Sequence, residues 1–248
     1  MTEFSGSTCN FQGKSVIITE SSTIIGRETA RIFAEKGARV AITSKDAASL
    51  AEIKKLCIEA GANVDNVLEV FFTADFLYIN RVFFWILTTF DNDESLARIV
   101  DDTVKAFGGI DILIINVIIE RPNSPVDANT SVDRGNREIL RSILALTNLA
   151  LPHLEKTNGS VVNMASLAAH ASDEQEFCYA ISKSALDQLI VQTATKLIKK
   201  GALFHLGDNM WMVHFGKVGE SNDIAELICY LADHTQSEIF IGQTLVVD

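Results

Sequence analysis

Tyr179 and Lys183 stand four residues apart, and Ser166 precedes the tyrosine by thirteen. A phenol with its ordinary pKa of about 10 is a poor acid or base at neutral pH, but a cation one helical turn away, at i+4, stabilises the phenolate and lowers that value. Such a tyrosine can give a proton to a carbonyl oxygen or take one from an alcohol, while a nearby serine hydroxyl holds the same oxygen. A Tyr-x-x-x-Lys pair alone recurs by chance in a chain of this length. The weight comes from the serine, which closes the apolar run SVVNMA at 160–165. No rival chemistry is legible. The histidines (His153, His170, His205, His214, His234) show no metal-type pairing, and Cys9, Cys57, Cys178 and Cys229 lie far apart with no CxxC.

Three such side chains need a scaffold that brings strand and helix ends to one place. From Lys14 onward short apolar runs alternate with longer amphipathic ones, the order expected of a parallel sheet flanked by helices. The strands expected are SVIIT (15–19), ARVAIT (38–43), VLEVFF (67–72), DILIIN (111–116), SVVNMA (160–165) and GQTLVVD (242–248). Between them the pattern predicts helices over 27–36, ended by Gly37, over 46–60 with Asp46 as cap, and over 94–107, 140–154, 179–200 and 223–233. The fold expected is α/β: a doubly wound, Rossmann-like parallel sheet of about seven strands with helices on both faces, and residues 1–248 as one domain.

In such a sheet the first strand-to-helix turn is where a dinucleotide pyrophosphate meets a helix N-terminus. That turn reads ITESSTIIGRETA. It resembles the TGxxxGIG turn of the short-chain dehydrogenase/reductase family: Thr19 matches the Thr, Ser21, Ser22 and Thr23 fill the spacer, and Ile25 and Gly26 match the final Ile-Gly. Glu20 and Ile24 replace the first two glycines. The likeness continues at the family's spacings. Asp75 in TAD follows strand three, DILIINVI keeps Asn116 of DILVNNAG, NGSVVNMAS ends on Ser166, and YAISK supplies the YxxxK of Tyr179 and Lys183. The opening FQGKSVIITESS resembles animal members that begin FxGKxxIITGSSxGIG, and the tail from Gly219 resembles the family's closing segment.

The resemblance implies an NAD(P)-dependent oxidoreductase that reduces carbonyls or oxidises alcohols, with Ser166, Tyr179 and Lys183 catalytic. It implies a cofactor held by Thr19, Ser21, Ser22, Thr23, Ile25, Gly26, Lys45, Asp75, Asn116, Tyr179 and Lys183, with Asp75 on the adenine amino group and Lys183 also on the ribose. Lys45 stands after strand two, where a basic residue accommodates a 2′-phosphate, so NADP is expected over NAD. The family also implies a homodimer or homotetramer joined through the helices at 140–154 and 179–200. Four departures bear on the cofactor cradle. Besides Glu20 and Ile24, Ile139 replaces a family asparagine, and no Pro-Gly loop appears over 205–219. The two replaced glycines predict backbone strain of about 1–3 kcal/mol at each position. They keep open a second expectation, a non-catalytic relative acting as an interaction or assembly scaffold.

Composition narrows the partners. Against 32 acidic residues the chain carries 21 basic ones, a net charge of −11, which disfavours nucleic acid and anionic lipid and favours a small-molecule substrate. The scattered cysteines suit a reducing compartment, and the polar residues 1–13 lack a signal-peptide pattern, so a cytoplasmic location is expected. One stretch breaks the rhythm: FLYINRVFFWILTTF, 76–90, has 11 apolar residues of 15 and six aromatic ones. It is too short to span a bilayer. It reads as a buried extra hairpin or helix, as a partner-binding or membrane-dipping patch, or as translated non-coding sequence.

Overall fold

The computed structural model of the chain describes residues 9–71, 93–116, 128–165, 184–185, 188–189, 191–193, 203–208, 220–237 and 244–245. Ser166, Tyr179, Lys183, Asp75 and the apolar stretch 76–90 lie outside them.

The elements run β1 (Ser15–Ile18), α1 (Ile24–Glu35), β2 (Arg39–Ser44), α2 (Ala47–Glu59), a 3-10 turn (Val64–Asn66), β3 (Val67–Phe71), α3 (Asp93–Phe107), β4 (Ile112–Asn116), α4 (Ala128–Thr157), β5 (Ser160–Ala165), β6 (Leu203–Asp208), α5 (Ser221–Ala232), α6 (His234–Ser237) and β7 (Thr244–Leu245). The strands form one seven-stranded sheet in the order β3-β2-β1-β4-β5-β6-β7, every neighbouring pair parallel. Strand order therefore reverses between β1 and β4, and in open sheets of this kind the crevice beyond the strands' carboxyl ends at that reversal is where ligands bind.

The central strands are continuous apolar runs because both faces are covered. Val16, Ile18, Val40, Ile42, Ile114 and Val162 pack with Phe33 of α1, Ile53 of α2 and Ile228 of α5. The alternate residues Ile17, Ala41, Leu113, Ile115 and Val161 pack with Ile99 of α3 and with Leu146, Ala150 and Leu154 of α4. Each helix starts and stops where its sequence allows. The Thr23 hydroxyl accepts from the Gly26 N–H at the start of α1, and Asp46 accepts from the N–H groups of Ala48 and Ser49 at the start of α2. Past the end of α1, Gly37 adopts φ +88° and donates to the Ala34 carbonyl, the left-handed exit that glycine makes easily.

Three elements depart from the pattern in the sequence. Helix α1 begins at Ile24 instead of Arg27, because the Thr23 cap recruits the apolar pair before Gly26. Helix α4 begins at Ala128, not Leu140: its first turns, ANTSVDRGNREI, carry no apolar stripe to announce a helix. Pro152 sits inside α4, where it has no N–H to give. A strand, β6, runs through LFHLGD, which is not among the strands expected from the sequence, paired along its length with β5.

Cys9, Cys57 and Cys229 are buried and form no disulfide among the described residues. Desolvation pushes Cys57 up to about 12 and Cys229 well above the ordinary thiol range, the nearby Glu226 carboxylate adding to the latter. Neither carries thiolate at neutral pH, and thiolate is the species that alkylates. We expect both to stay unmodified when the native protein is treated with iodoacetamide at pH 8 and to label fully in guanidinium, read by peptide mass spectrometry. Among the described residues no helix is long and apolar enough to cross a membrane, and no cluster of three or more metal-ligating side chains is present.

Candidate functional site

The carboxyl ends of β1 and β4 are tied together by the residues that the sequence singles out. Thr19 donates its N–H to the Ile114 carbonyl at 3.0 Å, and its hydroxyl accepts from the Asn116 N–H at 2.9 Å. The Asn116 amide then reaches into the turn after β1, donating to the Glu20 carbonyl at 3.3 Å and to the Thr23 hydroxyl at 2.8 Å. That hydroxyl also accepts from Gly26 at 2.9 Å, so one side chain both caps α1 and anchors it to β4. On the other flank the Ser21 hydroxyl donates to the Ile18 carbonyl at 2.7 Å and accepts from the Thr43 N–H at 3.1 Å, while the Ser21 N–H donates to the Thr43 carbonyl at 2.9 Å. Thr19, Ser21 and Asn116 are buried, and their hydrogen-bonding groups hold the turn's shape.

Glu20 takes φ 48°, the left-handed conformation that glycine adopts without penalty, and the residue is only 5% exposed. Ile24 shows no such conformation. It is the first residue of α1, with its side chain 68% exposed. The strain expected at both replaced glycines is thus confined to Glu20; at Ile24 the change is bulk at the helix mouth. Gly26 cannot be varied: a Cβ there would run into the Glu20 carbonyl oxygen and lie 2.8 Å from the Ser21 Cα. Ile25 is half-buried and packs on the α1 side of the core.

This turn leaves a set of donors open. Among the described residues, the N–H groups of Ser22, Ile24 and Ile25 and the Ser22 hydroxyl make no hydrogen bond. Converging N–H groups at the positive end of a helix dipole suit an oxyanion such as phosphate. At the end of β2, Lys45 is half-buried and pairs with no described carboxylate, next to Ser44, which caps the Asp46 N–H at 3.1 Å. Asp46 serves α2: its bonds to the Ser49 hydroxyl and to the Ser49 and Ala48 N–H groups hold its carboxyl below the usual range. The backbone therefore fits a dinucleotide, with an open phosphate cradle and, one strand over, a cation that pairs with no described carboxylate. The Glu20 carboxylate and the Ile24 side chain are the two features of the turn that oppose it.

Sequence reading identifies Asn116 as a site residue without revealing that it works through Thr23. The signal is present in the sequence, since an amide at the end of β4 and a hydroxyl cap on α1 face each other whenever β1 and β4 are neighbours. Of the residues expected to carry chemistry, β5 leads directly to Ser166, and residues 184–185, 188–189 and 191–193 are helical just beyond Lys183.

The sequence profile of the family described as short chain dehydrogenase matches residues 14–204. A hydroxysteroid 11-beta-dehydrogenase 1-like protein of Xenopus tropicalis is 30% identical over 173 residues, which cover 69% of this chain and 54% of the relative. The chain spans about half the length, 54–57%, of several curated relatives that it matches. Solved structures are matched along almost their whole length. The glucose dehydrogenase of Caenorhabditis elegans in its apo form is 34% identical, with a TM-score of 0.79 over 96% of this chain and 97% of that one. An NADH-dependent reductase, A1-R′, complexed with NAD is 27% identical, with a TM-score of 0.76 over 95% of each chain.

Proposed function

Because the chain belongs to the short-chain dehydrogenase/reductase family, we propose that it is an NAD(P)-dependent oxidoreductase interconverting a carbonyl and an alcohol on a small molecule. The observation that carries this reading is the open set of N–H groups at Ser22, Ile24 and Ile25, held at the β1/β4 reversal by Asn116 and Thr23. Those groups and the Ser22 hydroxyl would hold the pyrophosphate, Asp75 the adenine, and Tyr179 and Lys183 the ribose and nicotinamide end. The bound nicotinamide supplies or accepts the hydride. Tyr179 moves the proton: its phenol, kept acidic by Lys183 one helical turn on, donates to the carbonyl oxygen or recovers the proton from the alcohol. Ser166, leaving the end of β5, holds the same oxygen by its hydroxyl. The chain works as one domain, as a homodimer or homotetramer in the cytoplasm, which sedimentation at micromolar concentration tests against the 27.1 kDa of one chain.

Lys45 favours NADP over NAD, since a cation at the end of β2 that pairs with no described carboxylate can pair with a 2′-phosphate. Titration of NADPH and NADH by cofactor fluorescence tests this. Lys45→Ala should cut the preference for NADPH by about fivefold, the worth of roughly 1 kcal/mol from a partly exposed ion pair. Equal affinities in the unmodified protein would remove Lys45 from the site.

A second reading rests on Glu20 and Ile24, which put a carboxylate and a branched side chain at the phosphate cradle. On this reading the fold is kept as a scaffold for protein contacts, and neither nucleotide binds at millimolar concentration.

A further inference from the structure

The ladder between β1 and β2 ends at the pair Ile18–Ile42. One residue further along β2, Thr43 is still held, and Ser21 alone holds it. The Ser21 N–H donates to the Thr43 carbonyl at 2.9 Å, and the Ser21 hydroxyl accepts from the Thr43 N–H at 3.1 Å while donating to the Ile18 carbonyl at 2.7 Å. Ser21 and Thr43 are both fully buried, so water offers these groups no substitute.

This tie lies between the two places where an anion would be held. Directly after Ser21 comes Ser22, the first of the open N–H groups of the turn. Two residues after Thr43 comes Lys45, and its backbone is fixed on the far side as well: the Asp46 N–H donates to the Ser44 hydroxyl, and the Asp46 carboxylate caps α2. A cofactor with a 2′-phosphate has two anionic groups to seat at once, its pyrophosphate on the turn and the 2′-phosphate on Lys45. NADH carries only the first. The spacing between the turn and the end of β2 therefore bears on NADPH far more than on NADH.

We propose that Ser21 is a positioning residue for the choice of cofactor: touching neither phosphate, it holds the end of β2, and with it Lys45, at the distance from the turn that NADPH requires. This rests on the oxidoreductase reading. The family likeness implies that Ser21 holds the cofactor directly, whereas its hydroxyl is engaged by the backbone of β1 and β2. An alanine at this position leaves the Thr43 N–H buried without its acceptor and releases the end of β2 from the turn.

Titration of NADPH and NADH by cofactor fluorescence, with thermal melts of the same proteins, tests the proposal. Ser21→Ala should cut the preference for NADPH by about threefold, less than the roughly fivefold expected of Lys45→Ala, with NADH affinity kept within about twofold. In the double variant the preference should fall no further than in Lys45→Ala alone, since both changes act through one contact. Ser15→Ala is the control for stability. The Ser15 hydroxyl accepts from the Arg39 guanidinium at 2.8 Å and so also joins β1 to β2, but at the amino end of the strands. That variant should lower Tm and leave the preference unchanged. If Ser21→Ala keeps the full preference, or Ser15→Ala lowers it equally, the role of Ser21 is overturned and the oxidoreductase reading stands. Equal binding of the two nucleotides by the unmodified protein overturns the proposal in the same way, whereas binding of neither overturns that reading and the proposal together. If Ser21→Ala does not fold, Ser21→Cys, whose thiol is a weaker acceptor of similar shape, decides by the same ratio.

Discussion

Tyr179→Phe should lower kcat for carbonyl reduction by about a thousandfold or more while weakening NADPH binding by only about fivefold, the worth of one lost hydroxyl contact. The phenylalanine keeps the ring and removes only the oxygen that carries the proton, so the variant separates chemistry from binding. Lys183→Met is the companion, because it should both weaken binding and move the alkaline limb of the kcat profile upward as the phenol regains its ordinary pKa. A Tyr179→Phe enzyme with undiminished turnover would show that another group moves the proton, and the assignment of Tyr179 would be wrong.

Glu20→Gly should tighten NADPH binding by at least about tenfold, equivalent to 1.4 kcal/mol, and should also raise Tm. Both effects follow from the same observation. Glu20 holds φ 48° with a side chain that disfavours it, and its carboxylate belongs to the turn where a pyrophosphate would bring more negative charge. Ile24→Gly should separate the two effects. With no positive φ to relieve and a helical position to weaken, it should tighten binding while lowering stability by up to about 1 kcal/mol. Isothermal titration and thermal melts of the two single variants and the double one check both expectations. If neither glycine improves binding and the parent protein binds no nucleotide, the scaffold reading stands.

The rhythm of the chain was readable because the central strands are buried on both faces, so runs such as SVII and ILIIN stand out against amphipathic helices. The start of α4 was not, since ANTSVDRGNREI has only Ala128, Val132 and Ile139 as apolar residues, too few to make a stripe. Strand β6 was hidden for a different reason. LFHLGD is short and has a polar His and a Gly inside it, and its place is fixed by pairing with β5 rather than by its own pattern. At the site, the conformation of Glu20 was legible from the family glycine that it replaces, whereas the absence of strain at Ile24 was not, because helix initiation at Thr23 decides it.

The parallel order of the sheet also governs how the chain can be made. Of these seven strands β1 is made first, yet it lies inside the sheet, with β2 on one edge and β4 on the other. The contact that closes the second edge, the Ser15 N–H to the Asp111 carboxylate, joins residues 96 positions apart. Until β4 has been synthesised, the apolar strand SVII has an open edge, and its residue Ile17 has no α4 to bury against. A nascent chain halted before residue 111 therefore exposes a strand edge of the kind that recruits other chains. Closing so long a loop before its contacts reward it also makes folding slow. The arrangement that places the turn after β1 at the centre of the sheet leaves that same turn waiting, unsupported by Asn116, until β4 has been made.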